Sequence, residues 1–208
     1  TYNGVAPEEA LLDAGFVGGS GDQQRAVAAL RWAVESPYTA PVVNISYLWG
    51  ADNTLNWIDR VFDYWARREL VLISVAAGNS GASLGSPSKG WNVLSVGGTN
   101  DYNTINWDDD TMYSNSAYIN PVSYYGDREK PEVVAPATNI TAMSMGNTSL
   151  ERSGTSYAAP QVAGLSALLI DRDNTLTVWP EATRAIIMAS ATHNITGTTG
   201  IVAGQDQL

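Results

Sequence analysis

Cysteine is absent from the 208 residues, which excludes a disulfide framework, a thiolate metal site and a cysteine nucleophile. Lysine is nearly absent, occurring only at positions 89 and 130, and Asp+Glu outnumber Lys+Arg by 21 to 11. Nucleic acid and anionic membranes both reward clustered cations, so neither suits this chain as a partner. No apolar run reaches the roughly 20 residues of a membrane span. The first residues, Thr1-Tyr2-Asn3-Gly4, have neither the basic start nor the apolar stretch of a secretion signal. Charged residues make up only 15%, against an average of about 25%. Scarce lysine beside plentiful Tyr, Trp, Ser and Asn points to an extracellular setting. Histidine occurs once, as His193.

What is present is a strand and helix alternation. Residues 22–35 place Ala26, Val27, Leu30, Ala33 and Val34 on one helical stripe. Residues 41–46 (PVVNIS) form a short apolar run suited to a buried strand. Helical spacing returns over 54–70, where Leu55, Ile58, Val61, Phe62 and Trp65 face one way and Asn53 is placed to cap. Residues 71–77 and 92–98 predict two more buried strands, and the first ends in the turn cluster Gly78-Asn79-Ser80-Gly81. Residues 99–129 are polar and aperiodic and read as an irregular excursion. A short strand follows at PEVVAP, then helices over 156–170 and 180–191, the last opening on proline. Such alternation predicts right-handed crossovers, a mainly parallel sheet and a three-layer α/β sandwich in one domain.

In an open parallel sheet, ligands bind beyond the carboxyl ends of the strands. The segment from Ser46 onward and the turn at Asn79 both lie there. The turn Gly154-Thr155-Ser156 adds a helix N-terminus, where free N–H groups favour negative charge. A serine there exposes its hydroxyl and aims its own N–H at any oxyanion it creates, and an Asn amide from a strand end can supply a second donor. Taken alone, Ser156 reads first as an N-cap, and Asn79 equally as a turn residue.

The stretch GTSYAAPQVAGLSALL resembles the nucleophile motif of the subtilisin-like serine proteases, the subtilases. GVAPEEALL, VVNISY, VLISVAAGNSG and KPEVVAPATNI resemble further subtilase segments in the family's order, from about Gly4 to Thr192. The resemblance implies a subtilisin-like fold, with residues 1–208 the C-terminal portion of a single catalytic domain incomplete at its N-terminus. It implies a serine endopeptidase acting through an acyl-enzyme on peptide or protein substrates. Ser156 would be the nucleophile and Asn79 the oxyanion donor, with the Ser156 N–H beside it and the Thr155 hydroxyl backing the hole. Substrate would add as a strand along Ser46, Tyr47, Leu48, Trp49 and Gly50 and along Ala76, Ala77 and Gly78.

A nucleophilic serine needs a base, and the base an orienting carboxylate. In subtilases both lie upstream of the GVAP segment, and neither motif occurs in these 208 residues. His193, after the last predicted helix, stands where the family has no catalytic residue. The expectation is therefore a chain carrying nucleophile and oxyanion hole only. Its Asp and His would come from a segment removed by truncation or cleavage, or from a complementary N-terminal chain. The alternative is a non-catalytic scaffold of subtilase descent. The sedolisins share the Gly-Thr-Ser turn but use Asp where Asn79 stands. Two departures from the family concern the site. Ala137 replaces the glycine of the APG motif, and the substrate segment is bulkier than usual at Tyr47, Leu48 and Trp49. No cofactor is implied. Asp101, Asp108, Asp109 and Asp110 are the residues that could hold calcium, although no EF-hand spacing occurs and a solvated acidic loop is the simpler reading.

Overall fold

A computed structural model describes residues 4–15, 21–35, 37–52, 54–118, 129–146, 148–192 and 195. Strands β1 (Val42–Ile45), β2 (Leu72–Ala76) and β3 (Leu94–Asn100) lie side by side and parallel. A two-residue strand, β4 (Thr111–Met112), runs antiparallel to the end of β3, and β5 (Val133–Pro136) pairs parallel with β3. Helix α1 (Asp22–Val34) precedes β1, and α2 (Trp57–Arg68) connects β1 to β2. The expected parallel neighbours are present, and α2 is the helical connection between two of them, whereas α1 precedes the first strand.

Every residue of β2 is buried, because the strand has a helix layer on each face. Its alternate side chains divide accordingly. Ile73 and Val75 join Leu30 and Val34 of α1 and Ile58, Phe62 and Trp65 of α2 in one apolar cluster. Leu72 and Ala76 join a second cluster with Val96, Val133, Ala158, Ala159, Val162 and Ile187. The last four come from α3 (Thr155–Arg172) and α4 (Pro180–Ser190). Helices on both sides of a mostly parallel sheet make the three-layer sandwich that the sequence predicts.

Three details differ from the sequence reading. Helix α2 is capped by Asn56, three residues later than expected, and Asn53 lies outside the described residues. The reason is a capping box: Asn56 Oδ1 accepts the Ile58 and Asp59 N–H groups, and Asp59 Oδ2 accepts the Asn56 N–H at 2.9 Å. A separate hairpin, β6 (Ile140–Ser144) with β7 (Thr148–Arg152), was not anticipated. Its side chains are mostly exposed, so no apolar pattern announced it. Part of the excursion is ordered by Asn and Thr side chains, with a single 3-10 turn at Trp107–Asp109 capped by Asn106.

Both lysines are buried. Lys89 is wholly inaccessible, with Nζ 3.0 Å from Asp52 and 3.8 Å from Asp59. Lys130 pairs with Glu132 and donates to the Val93 carbonyl. Glu132 also accepts Arg184 Nη2 at 2.6 Å and the Ser95 N–H at 2.8 Å, so one carboxylate ties α4 to β3 and β5. Breaking a buried pair costs about 3–5 kcal/mol, because the remaining charge is left uncompensated. Glu132→Gln is expected to cost within that range, because Lys130 stays buried beside the lost charge while Arg184, partly exposed, can turn to water. Urea unfolding of the variant against the parent measures it, and a loss below about 1 kcal/mol, the scale of an exposed pair, would contradict the assignment.

Candidate active site

The carboxyl ends of β1 and β2 and the N-terminus of α3 meet at one place. Gly154 precedes α3 with φ 148° and ψ 153°, a backbone that side chains rarely adopt. A β-carbon built there would lie 3.2 Å from Asn79 Nδ2, so glycine also gives Asn79 room to approach. The Gly154 N–H donates to the Ala137 carbonyl at 2.7 Å. Ala137 is fully buried and is not among the residues of positive φ. Alanine at this position therefore needs no left-handed backbone.

The next residue fixes Asn79. The Thr155 N–H donates to Asn79 Oδ1 at 2.9 Å, and the Gly78 N–H donates to Thr155 Oγ1 at 3.1 Å. With that lone pair occupied, the Thr155 hydroxyl proton goes to Asn79 Oδ1, 3.2 Å away. Two donors on one carboxamide oxygen settle which end is oxygen, because a backbone N–H requires an acceptor. The Asn79 Nδ2 hydrogens then face the other way, and among the described residues no hydrogen bond takes them. The sequence reading had the Thr155 hydroxyl backing the oxyanion hole. In the structure it acts on the asparagine.

Ser156 is the second residue of α3, not its N-cap. The N-cap, Gly154, has no side chain to offer, and the first helical N–H, that of Thr155, is taken by Asn79. Ser156 is half-buried, and among the described residues its N–H has no acceptor, as expected of a first-turn group. Its hydroxyl donates to the Ser46 carbonyl at 3.4 Å, long for an O–H···O bond and hence weak. The Ser46 hydroxyl returns a bond to the Ser156 carbonyl at 2.9 Å. That carbonyl is free because the residue four positions on is Pro160, which has no N–H to give it. The sequence reading passed over Pro160, although its spacing from Ser156 was visible.

Beyond β1, Tyr47 is half-exposed and Trp49 is turned inward at 9% exposure. Trp49 Nε1 donates to Asp22 at 2.8 Å, and its backbone pairs both ways with Ser86 at 2.9 Å. Below this segment the Ser86 hydroxyl bonds Asp59, whose carboxyl burial pushes up. Asp52 is held below the ordinary carboxyl range, chiefly by its hydrogen bond from Lys89. Ala76, Ala77 and Gly78 are all buried.

Two of the acidic residues of the excursion serve local turns. Asp109 accepts the Thr104 hydroxyl and Asp101 the Asn103 N–H. Burial first, then Asp101 and Asp109, push Asp110 up. Among the described residues no group of three or more His, Asp or Glu is arranged to hold a metal ion. His193 and Asn194 lie outside the described residues, as does most of the aromatic stretch 113–125.

A serine in a helix's first turn, beside a carboxamide at the end of a parallel strand, fits on this α/β fold the class of the subtilisin-like serine proteases. The subtilase family's profile matches residues 1–205, and the chain belongs to that family. Serine protease AprX of Bacillus subtilis (strain 168) is 30% identical over 206 residues, covering 85% of this chain and 45% of that one. Subtilisin DY of Bacillus licheniformis is 29% identical over 181 residues, covering 84% and 58%. Among solved structures, sphericase superposes with a TM-score of 0.72 at 25% identity, covering 91% of this chain and 62% of its own. A cold adapted subtilisin-like serine proteinase gives 0.65 at 25% identity, covering 85% and 57%. The chain spans about half the length of the curated relatives it matches.

Proposed function

We propose that this chain supplies the nucleophile and oxyanion hole of a serine endopeptidase, with Asp and His contributed by a further polypeptide segment of the subtilase type. In the reaction, Ser156 Oγ attacks the scissile carbonyl carbon while the histidine takes its proton. The carbonyl oxygen becomes an oxyanion held by Asn79 Nδ2 and the Ser156 N–H. The proton passes to the leaving amine, and water then hydrolyses the acyl-enzyme by the same steps. The observation that carries this reading is the locked Asn79 carboxamide: both donors on its oxygen leave the amide hydrogens for an oxyanion beside Ser156.

Peptide or protein substrate adds as a strand along residues 46–50 and 76–78. The chemistry asks for no cofactor, and the acidic, lysine-poor composition suits an extracellular enzyme. No helix among the described residues is long and apolar enough to cross a membrane.

The test is complementation. The chain, refolded with a subtilase N-terminal segment bearing the Asp and His motifs, is expected to cleave a peptide library. Ser156→Ala in the same complex is expected to lose about 10⁶ in turnover. A complex that forms but cleaves nothing would favour the scaffold reading.

A further inference from the structure

Leu48 is half-buried against the apolar cluster of α1 and α2 and also borders the proposed oxyanion site. A β-carbon built on Gly85 would lie 2.7 Å from Leu48 Cβ, and one on Gly78 would lie 3.2 Å from Leu48 Cδ1. Gly78 immediately precedes Asn79, and its N–H is the one held by Thr155. Gly85 precedes Ser86, whose backbone pairs with Trp49. Three segments, 46–50, 76–79 and 84–86, therefore surround one space, and a side chain of the protein itself lies in it. Leu84, Ala77 and Ala117 form a small, fully buried cluster, and Ala117 packs against Gly78 as well. Gly78 and Gly85 are themselves buried, so neither backbone has room to retreat from Leu48.

We infer that Leu48 is a specificity-determining residue that fills the pocket for the side chain preceding the scissile bond. The inference rests on the endopeptidase reading above. A peptide paired along residues 46–50, with its reacting carbonyl oxygen at Asn79 Nδ2, directs the side chain of that residue beside Gly78. Successive side chains of a strand alternate between faces, so one face of the peptide is turned toward this space. With Leu48 in place the space admits glycine or alanine and rejects aromatic and long aliphatic side chains. Overpacking such a site strains both partners.

The probes are two tetrapeptide acids identical except for a C-terminal Ala or Phe, whose carboxylate stands in for the oxyanion. Binding to the 208-residue chain is read from the Asn79 side-chain amide by NMR titration, so no turnover is needed. The chain is expected to bind the Ala-ending peptide at least about tenfold more tightly than the Phe-ending one. Leu48→Ala, and Leu48→Gly as a second variant, are expected to reverse that order. Equal binding of both peptides by the unmodified chain would overturn the inference while leaving a peptide site in place. So would an unchanged ratio in a folded Leu48→Ala chain. Failure of both peptides to shift the Asn79 amide in parent and variants would overturn the peptide-site reading, and this inference with it.

Discussion

Ser156 in the 208-residue chain by itself is expected to form no adduct with a fluorophosphonate. A serine hydroxyl is almost wholly protonated at neutral pH and reacts only when a neighbour takes its proton. The side chains bonded at this turn, Ser46, Asn79 and Thr155, include no such base. The hydroxyl itself donates to a backbone carbonyl, which cannot accept a proton in this range. An oxyanion hole and binding alone leave about 10³–10⁴ over the uncatalysed reaction. Because a triad acts as one unit, lacking both Asp and His is scarcely worse than lacking one. Mass spectrometry of the purified chain after probe treatment gives the result. Rapid labelling without added polypeptide would mean a base within the chain, and His193→Ala would be the first variant to make. Labelling that appears on adding the Asp and His segment, and vanishes in Ser156→Ala, is the expected pattern.

The layers of the fold were legible because their pattern is physical. A five-residue run such as Leu72–Ala76, buried on both faces, reads as apolar but for Ser74, whose hydroxyl is satisfied by the Ala159 carbonyl, and the helices flanking it carry a single stripe. Ser156 and Asn79 were legible as candidates because the Gly-Thr-Ser turn before an apolar helix and the Gly-Asn turn after a buried strand occur together in the order of the subtilase segments. Either alone reads as a cap or a turn. Geometry that depends on contacts distant in sequence was hidden. The bond from Thr155 to Asn79 joins residues 76 positions apart, and nothing local announces it. The lysines were read from their scarcity as a lack of cationic surface, whereas both are enclosed with carboxylates. The bulk of Leu48 was visible, but not that it fills the space against Gly78 and Gly85. The β6–β7 hairpin escaped notice because it buries little, and burial is what leaves a pattern.

Asn79→Ala in the complemented enzyme is expected to lower kcat by about 10²–10³ with little change in KM, the magnitude known for an oxyanion-hole asparagine of subtilisin. Thr155→Val tests how that asparagine is held. Valine keeps the shape of threonine but removes both the acceptor for the Gly78 N–H and the donor to Asn79 Oδ1. One hydrogen bond of about 0.5–1.5 kcal/mol is lost from the clamp, so kcat is expected to fall up to about tenfold. The double variant separates two roles for Thr155. If Thr155 works by orienting Asn79, it has nothing left to orient once Asn79 is alanine, and the double variant is no slower than Asn79→Ala alone. If instead its hydroxyl reaches the oxyanion directly, the two losses multiply. Steady-state kcat for the four proteins of this cycle decides between them. A multiplicative loss would remove Thr155 from the clamp and place it in the oxyanion hole itself.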